Sequence, residues 1–201
     1  FVKPDRLAPF IDAGLATDVA IGVETASDRI RRDCVNKYFD FEDVIAAAET
    51  AKEVGAGVKA YLLLKPPFLT EAEAIEDAVS SVEQLAPYAH TVSINPTTVM
   101  SDTLVEELYE QGGYRPPWLW SVTEVLARTA EAAPIVVSDP VGAGSERGPH
   151  NCGECDETVE RAIEDFNRRQ DPSVFEEVDC ECELTWETVR ERERSYAAPL
   201  S

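Results

Sequence analysis

Positive charge is scarce in this sequence. Its 201 residues include 18 Lys and Arg against 39 Asp and Glu, which gives a formal net charge of −21 at pH 7. Such an excess would repel itself at low ionic strength, whereas at molar salt the screening length falls to about 3 Å. The acidic residues are spread through every segment, unlike an acidic interaction tail. The composition therefore indicates adaptation to a high-salt cytoplasm, in which negative net charge does not exclude a nucleic acid substrate.

Long apolar runs, a secretion signal and an initiator Met are also missing. Without a run of about 18 apolar residues, no segment is expected to span a membrane. The sequence starts at Phe1 and lacks the regions that mark a signal peptide. We therefore expect a cytoplasmic protein, and we interpret the sequence as the truncated part of a longer chain. With 44% hydrophobic residues it can form the core of one domain with a small appendage.

Strand-like apolar runs alternate with amphipathic helices in the first part of the sequence. Capping boxes at Thr70 and Glu73 and at Ser121 and Glu124 predict two helix starts, and Ser101 is expected to open another helix. The alternation predicts βαβ units and a parallel sheet, either open or an arc of a barrel that three or four strands cannot close. The predicted strands are residues 18–25, 57–64, 91–95 and 134–138.

The composition changes after residue 138. Residues 139–149 are rich in glycine and proline, which predicts a linker. Residues 150–201 contain closely spaced cysteines and a predicted helix from Asp156 to Arg169. We therefore expect an α/β domain over 1–138, followed by the linker and a small cysteine-rich module.

Four of the five cysteines form two close pairs, Cys152 with Cys155 and Cys180 with Cys182. In a chain without a secretion signal, such pairs favour metal binding over disulfides. Two thiolate pairs can close a tetrahedral site for structural zinc. An iron–sulfur cluster and four free thiols remain alternatives. The fifth, Cys34, is predicted to be a small apolar residue.

Polar residues follow the predicted strands, at the ends where barrel active sites collect. They include Glu24 and Thr25 at the end of the first strand, Lys65 after the second and Asn95 at the end of the third. Capping of strands and loops would also explain them. One hypothesis from the residues alone is Schiff-base catalysis by Lys65, with Glu24 as the acid or base.

The segment Gly22–Thr25, followed by SDRI and then by Asn36 and Lys37, resembles the fourth-strand region of radical SAM enzymes of the elongator and coproporphyrinogen-oxidase type. Further stretches resemble the archaeal radical SAM family of archaeosine biosynthesis, in a haloarchaeal-like form, over nearly the whole sequence. They are CVNKYFDFEDVIAAAETAKEVGAGVKAYLLLKPPFLTEAEAIED, INPTTV, YRPPWLWSV, HNCGECD and DCEC.

The resemblance implies a fold and a reaction. The fold is the C-terminal part of a radical SAM (β/α) partial barrel with a cysteine-rich metal-binding tail. In the family, a [4Fe-4S] cluster on a C-x3-C-x2-C loop cleaves S-adenosylmethionine to a radical. That radical breaks a lysine-derived adduct on the 7-deazaguanine at position 15 of tRNA. A transglycosylase-like partner protein supplies the adduct.

Site residues follow from the resemblance as well. Glu24 and Thr25 would contact the ribose or the amino acid part of S-adenosylmethionine. Lys37 stands where relatives carry an arginine for the carboxylate of the cofactor. Tyr61 and Asn95 would line the adenine side.

Lys65 would face the substrate as the catalytic candidate. The sequence departs from the family because its cysteines do not form C-x3-C-x2-C and it lacks the glycine-rich S-adenosylmethionine motif. Both are expected upstream of Phe1, with the first three strands, so we do not expect this polypeptide to be active alone. Two alternatives remain, a non-catalytic zinc-bearing scaffold for RNA or protein and a Schiff-base barrel enzyme.

Overall fold

The computed structural model describes residues 2–193. Its strands all run in parallel, in the order β1-β2-β3-β4. The elements are α1 (Pro4–Asp12), β1 (Asp18–Glu24), α2 (Asp28–Val35), α3 (Phe41–Glu53), β2 (Gly57–Leu64), α4 (Glu71–Leu85), β3 (Thr91–Pro96), α5 (Leu104–Glu110), α6 (Leu119–Thr129), β4 (Ile135–Ser138), α7 (Asp156–Arg169), a 3₁₀ helix (Pro172–Phe175) and α8 (Cys182–Arg192).

The two faces of the sheet differ in burial, as strand β2 shows. Its alternate residues Val58, Ala60, Leu62 and Leu64 are almost fully buried. Since successive side chains point to opposite faces, these residues lie on the face that helices α3, α4, α6 and α7 cover. The intervening residues of β2 are only half-buried. We call that second side of the sheet the open face.

The predicted fold is confirmed. Parallel βαβ units form an arc of four strands with helices on one side, as a partial barrel requires. The capping box at Thr70 and Glu73 is also confirmed, because each side chain accepts a hydrogen bond from the backbone of the other residue.

Two predicted helix starts are wrong. Helix α6 begins at Leu119, so Ser121 lies inside it rather than at its N-cap. The Ser121 hydroxyl instead donates to the buried carboxylate of Glu71 at 2.6 Å. Helix α5 begins at Leu104 after its N-cap Thr103, whose hydroxyl accepts from the backbone of Glu106, whereas Ser101 was expected to start it.

The chain after β4 packs on the same hydrophobic core. Val159, Ile163 and Phe166 of α7 are fully buried, and Trp186 of α8 is 4% exposed. Trp186 also donates its indole N–H to Ser121 of α6 at 2.8 Å. The domain boundary near residue 139 stays a prediction. Among residues 2–193, no helix has both the length and the apolar character needed to cross a membrane.

Candidate functional site

The carboxyl end of β1 carries an ion pair between Lys37 and Glu24. The Lys37 ammonium also donates to the carbonyl of Gly22 at 3.2 Å. A Cβ on Gly22 would lie 3.0 Å from Oε1 of Glu24 and 3.1 Å from Nζ of Lys37. The pair therefore occupies space that the missing side chain of Gly22 leaves free. The side chains are 39% and 19% exposed, so a ligand can reach both charges.

Tyr61 and Asn95 lie on the open face beside this pair. In the sheet register Gly22 pairs with Tyr61, and Tyr61 pairs with Ser93, so these positions point to the same side. Asn95 lies two residues beyond Ser93 on that side, and its Oδ1 accepts from the Ser93 hydroxyl at 3.2 Å. Both Tyr61 and Asn95 are half-buried. The structure thus brings together four predicted cofactor-binding residues at one sheet edge.

Thr25 is not brought together with them. Its side chain is fully buried, and its hydroxyl donates to Oδ1 of Asp77 on α4 at 2.7 Å. Burial raises the pKa of Asp77 to about 6, although the hydrogen bond from Thr25 acts in the opposite direction. The pairing of β1 with β2 is irregular between Gly22 and Glu24. Thr25, just beyond this irregularity, contacts the helix layer rather than the open face.

Arg31 of α2 anchors this strand end, and the sequence analysis missed it. The side chain is fully buried. Its guanidinium donates to the carbonyls of Val23, Thr25 and Phe39 and pairs with Asp28. The carbonyls of Val23 and Thr25 flank Glu24, which adopts a left-handed φ of 66°. Nothing in the sequence marks Arg31, because arginine on a short charged helix is normally exposed.

Lys65 follows β2 and forms a buried ion pair with Glu71. Its ammonium lies 2.6 Å from Oε2 of Glu71, and the two side chains are 4% and 1% exposed. A second carboxylate, that of Glu193, lies 3.8 Å from the ammonium. Tyr114 donates its hydroxyl to the Lys65 carbonyl at 2.8 Å. Little of the ammonium is therefore accessible to a carbonyl substrate. These contacts favour a structural and electrostatic role for Lys65 over nucleophilic catalysis.

The two cysteine pairs converge at a third location. Their four Sγ atoms all lie within 4.8 Å of one another. Sγ of Cys152 is 3.9 Å from Sγ of Cys155 and 3.7 Å from Sγ of Cys180, and Sγ of Cys155 is 3.6 Å from Sγ of Cys182. Zinc–sulfur bonds of 2.3 Å at tetrahedral angles put neighbouring sulfurs about 3.8 Å apart. The spacing fits four thiolates around one ion, whereas a [4Fe-4S] cluster binds each thiolate through a different iron.

Two side chains donate hydrogen bonds to these sulfurs. The indole N–H of Trp120 lies 3.3 Å from Sγ of Cys182, and the amide of Asn151 lies 3.4 Å from Sγ of Cys155. Burial raises the pKa of Cys155 to about 11, while backbone N–H groups, first that of Glu154, lower the pKa of Cys152 to about 7. A bound cation would keep all the thiols deprotonated, and the two donors would orient them.

Comparison with known proteins identifies relatives of this chain. The chain is 50% identical over 186 residues to the archaeosine synthase subunit beta of Methanosarcina acetivorans, covering 91% of this chain and 54% of that protein. It is 47% identical over 177 residues to the archaeosine synthase subunit beta of Thermococcus kodakarensis, covering 87% and 55%. The chain is a homologue of archaeosine synthase subunit beta. It spans about half the length of these curated relatives.

The fold agrees with a solved structure as well. The archaeal Elp3 of Methanocaldococcus infernus superposes with a TM-score of 0.59 at 19% sequence identity, covering 83% of this chain and 40% of that protein. This likeness supports the predicted elongator-type partial barrel. No family model matches the chain. Homology to archaeosine synthase subunit beta therefore rests on the two sequence matches, and the fold on the superposition.

The homology raises the question of which cofactors the residues fit. The pair of Lys37 and Glu24 offers one cation and one carboxylate, as the zwitterionic end of S-adenosylmethionine requires. The radical SAM cluster does not fit this chain, because four of the five cysteines converge on one another and Cys34 is buried on α2.

Proposed function

We propose that this chain is the part of a radical S-adenosylmethionine enzyme of archaeosine biosynthesis that holds one side of the cofactor and carries a zinc-bound tail. The observation that carries the proposal is the 50% identity to archaeosine synthase subunit beta over 91% of the chain. The half-exposed charges and polar groups at the carboxyl edge of the sheet support it, since ligands bind there in parallel α/β folds. We place the protein in the cytoplasm, with its tRNA substrate.

The open face supplies the groups that bind the cofactor. Lys37 donates to the carboxylate of S-adenosylmethionine, and Glu24 accepts from its amino group or ribose hydroxyls. Tyr61 and Asn95 hold the adenine by contact with the ring and by hydrogen bonding. Thr25 acts indirectly in this proposal, because it ties the end of β1 to α4. S-adenosylmethionine bound here would be the source of the radical, whereas the cysteines of this chain would not hold the iron–sulfur cluster that cleaves it.

The substrate in this proposal is the lysine-derived adduct on the 7-deazaguanine of tRNA, which a transglycosylase-like partner supplies. That the homologues are named as beta subunits supports a partner protein. Lys65 lies beyond the carboxyl end of β2, where the substrate approaches in this proposal. Because it is paired with Glu71, Lys65 acts as a fixed positive charge rather than as a nucleophile.

A structural zinc ion in the four-cysteine site completes the proposal. The tetrahedral spacing of the sulfurs supports zinc, and α8 begins at Cys182. The ion would therefore fix the start of α8, which contacts α4 and whose buried Trp186 donates to Ser121 of α6.

The test is restoration of archaeosine in cells. The full-length gene that contains the coding sequence of this chain is expressed in an archaeal strain that lacks its own archaeosine synthase subunit beta, because this polypeptide is not expected to be active alone. Archaeosine in the purified tRNA is then measured by mass spectrometry. We expect restoration by the parent protein, loss with Asn95→Ala, and no effect of Tyr38→Ala, since Tyr38 is 81% exposed.

Two outcomes count against the proposal. A normally abundant parent protein that restores no archaeosine contradicts a role in this pathway. If the parent restores archaeosine and Asn95→Ala does so equally well, the chain acts as a scaffold rather than as part of the cofactor site.

A further inference from the structure

Two cavities adjoin the carboxyl end of β2, on the substrate side of the sheet edge. Their volumes are about 360 Å³ and 420 Å³. Both are lined by Lys65, Arg115 and Glu193. We call the two cavities together the Lys65 cleft. Leu69 and Tyr114 add walls on one side, so the cleft combines apolar surface with a few converging charges.

Positive charge concentrates around this cleft in a strongly acidic chain. Lys65, Arg115 and Arg192 line it, and among residues 2–193 the one carboxylate in the lining is that of Glu193. Glu71 neutralises Lys65 from behind, at 2.6 Å. The guanidinium of Arg115 donates to backbone carbonyls such as that of His150, and the nearby carboxylates of Glu71 and Asp156 balance part of its charge. The cleft therefore carries a net positive charge when Glu193 is not counted.

Glu193 already places an anion in the cleft. Its Oε2 accepts the backbone N–H of Glu71, the first residue of the 15-residue helix α4, at 2.6 Å. Its Oε1 lies 3.8 Å from the Lys65 ammonium. The N-terminus of a helix offers unpaired N–H groups and a partial positive charge, which favour anions. The side chain of Glu193 is 25% exposed and follows the end of α8, so it can be displaced.

Trp118 adds an unpaired hydrogen-bond donor to the lining of the cleft. The residue is 8% exposed and lines the cleft, and its buried indole N–H has no hydrogen-bond acceptor among residues 2–193. Buried donors are rarely left unpaired, because desolvation without a partner is unfavourable. The indole nitrogens of Trp120 and Trp186 both have acceptors.

We propose that the Lys65 cleft is a binding site for a phosphate group, which displaces Glu193. A phosphate has enough acceptor oxygens to meet the N-terminus of α4, the Lys65 ammonium and the indole N–H of Trp118 together. Arg115 and Arg192 supply the surrounding positive charge. The site itself does not depend on the proposed function. Only the natural source of the phosphate rests on the proposed function, because a tRNA-modifying role would make the tRNA backbone that source.

The indole N–H groups give a direct readout. The ¹⁵N-labelled full chain is titrated with inorganic phosphate, which replaces chloride at constant ionic strength, while the indole N–H signals are recorded by NMR. Trp118→Phe assigns the Trp118 signal by its disappearance. We expect the Trp118 signal to shift saturably, and those of Trp120 and Trp186 to stay in place. An unchanged Trp118 signal, or equal drift of all three signals, overturns the proposal.

Two substitutions at the end of α8 test the displacement of Glu193. Glu193→Gln removes the competing charge and is expected to tighten phosphate binding about tenfold. Arg192→Gln is expected to weaken it several-fold, through loss of positive charge. Binding that is unchanged in Glu193→Gln contradicts the competition between Glu193 and phosphate.

A second titration identifies the source of the phosphate. Saturation by a short RNA at lower concentration than by inorganic phosphate assigns the site to a nucleic acid backbone. Equal or weaker binding of the RNA assigns it to a small phosphorylated molecule. Because neither titration measures archaeosine, failure of this site and failure of the proposed function remain distinguishable.

Discussion

Lys65 and Glu71 form a buried ion pair in which Nζ lies 2.6 Å from Oε2, with both side chains almost inaccessible. The other carboxylate oxygen of Glu71 accepts the backbone N–H of Trp118 and the hydroxyl of Ser121. Trp186 of α8 donates to that same hydroxyl. A single carboxylate therefore connects the end of β2 with the starts of α4 and α6 and, through Ser121, with α8.

Lys65→Met tests this connection. The substitution leaves Glu71 buried without its cation, and loss of one partner of a buried pair costs about 3–5 kcal/mol. Arg128→Ala is the matched control, because Arg128 pairs with Glu76 at the surface and such pairs contribute less than about 1 kcal/mol. Urea unfolding measures the free energy of unfolding of each variant. A cost for Lys65→Met as small as the control would show that the pair does not stabilise the fold.

The four-cysteine site should hold zinc. Protein purified without added iron is expected to contain about one equivalent of zinc per chain. Cys155→Ser should abolish binding and lower the melting temperature by about 10 °C, because α8 and its contacts to the core depend on the site. Elemental analysis and thermal unfolding measure both effects. Cys34→Ala is the control that keeps the metal, and iron with sulfide in the parent protein would contradict a zinc site.

Local patterns in the sequence were sufficient for most of the fold. The apolar run Gly57–Leu64 predicts β2 with both its ends, and the Thr70 capping box involves only neighbouring residues. Ser121 carries the same local pattern, yet its hydroxyl binds Glu71, fifty residues away in the chain. A tertiary contact of this kind leaves no periodic signal near Ser121.

Part of the candidate site was also predictable from local patterns, whereas the rest depends on tertiary contacts. Glu24 follows an apolar strand, and in a parallel fold such a residue reaches the functional edge. Thr25 is the next residue, and because successive side chains of a strand point to opposite faces, its hydroxyl reaches Asp77 in the helix layer. The burial of Arg31 follows from three-dimensional contacts with the carbonyls of Val23 and Thr25, which no spacing in the sequence encodes.

The buried carboxyl of Asp77 should make stability depend on pH. Its pKa is raised to about 6 in the folded chain, from an ordinary value near 3.8, because burial disfavours its charge. The folded state therefore binds this proton more tightly, and the stability that it contributes is lost as pH rises from about 4 through about 6. Asp77→Asn keeps an acceptor for Thr25 and removes the charge.

We expect Asp77→Asn to stabilise the protein by up to about 3 kcal/mol at pH 7.5 and to change little at about pH 4. Urea unfolding at the two pH values measures the difference in free energy of unfolding between parent and variant. All other titratable groups are common to both proteins, so their contributions cancel in this difference. An equal effect of the substitution at both pH values would show that Asp77 does not titrate in this range.

The pair of Lys37 and Glu24 should bind the amino acid end of S-adenosylmethionine. Lys37→Met removes the cation for the carboxylate, and we expect about tenfold or greater weakening, since a charge-assisted hydrogen bond is worth about 1.5–3 kcal/mol. Calorimetric titration of S-adenosylmethionine into the protein measures the change. Tyr38→Ala is the neighbouring control, because the side chain of Tyr38 is 81% exposed and donates its hydroxyl to Oδ1 of Asn36.

A second ligand separates this role from a general loss of structure. S-adenosylhomocysteine keeps the same amino acid end, so Lys37→Met should weaken both ligands alike, whereas adenosine lacks that end and should bind parent and variant equally. Weaker binding of adenosine to Lys37→Met would place the effect in the adenine side of the site. Unchanged binding of all three ligands would show that the exposed pair at the end of β1 does not contact the cofactor.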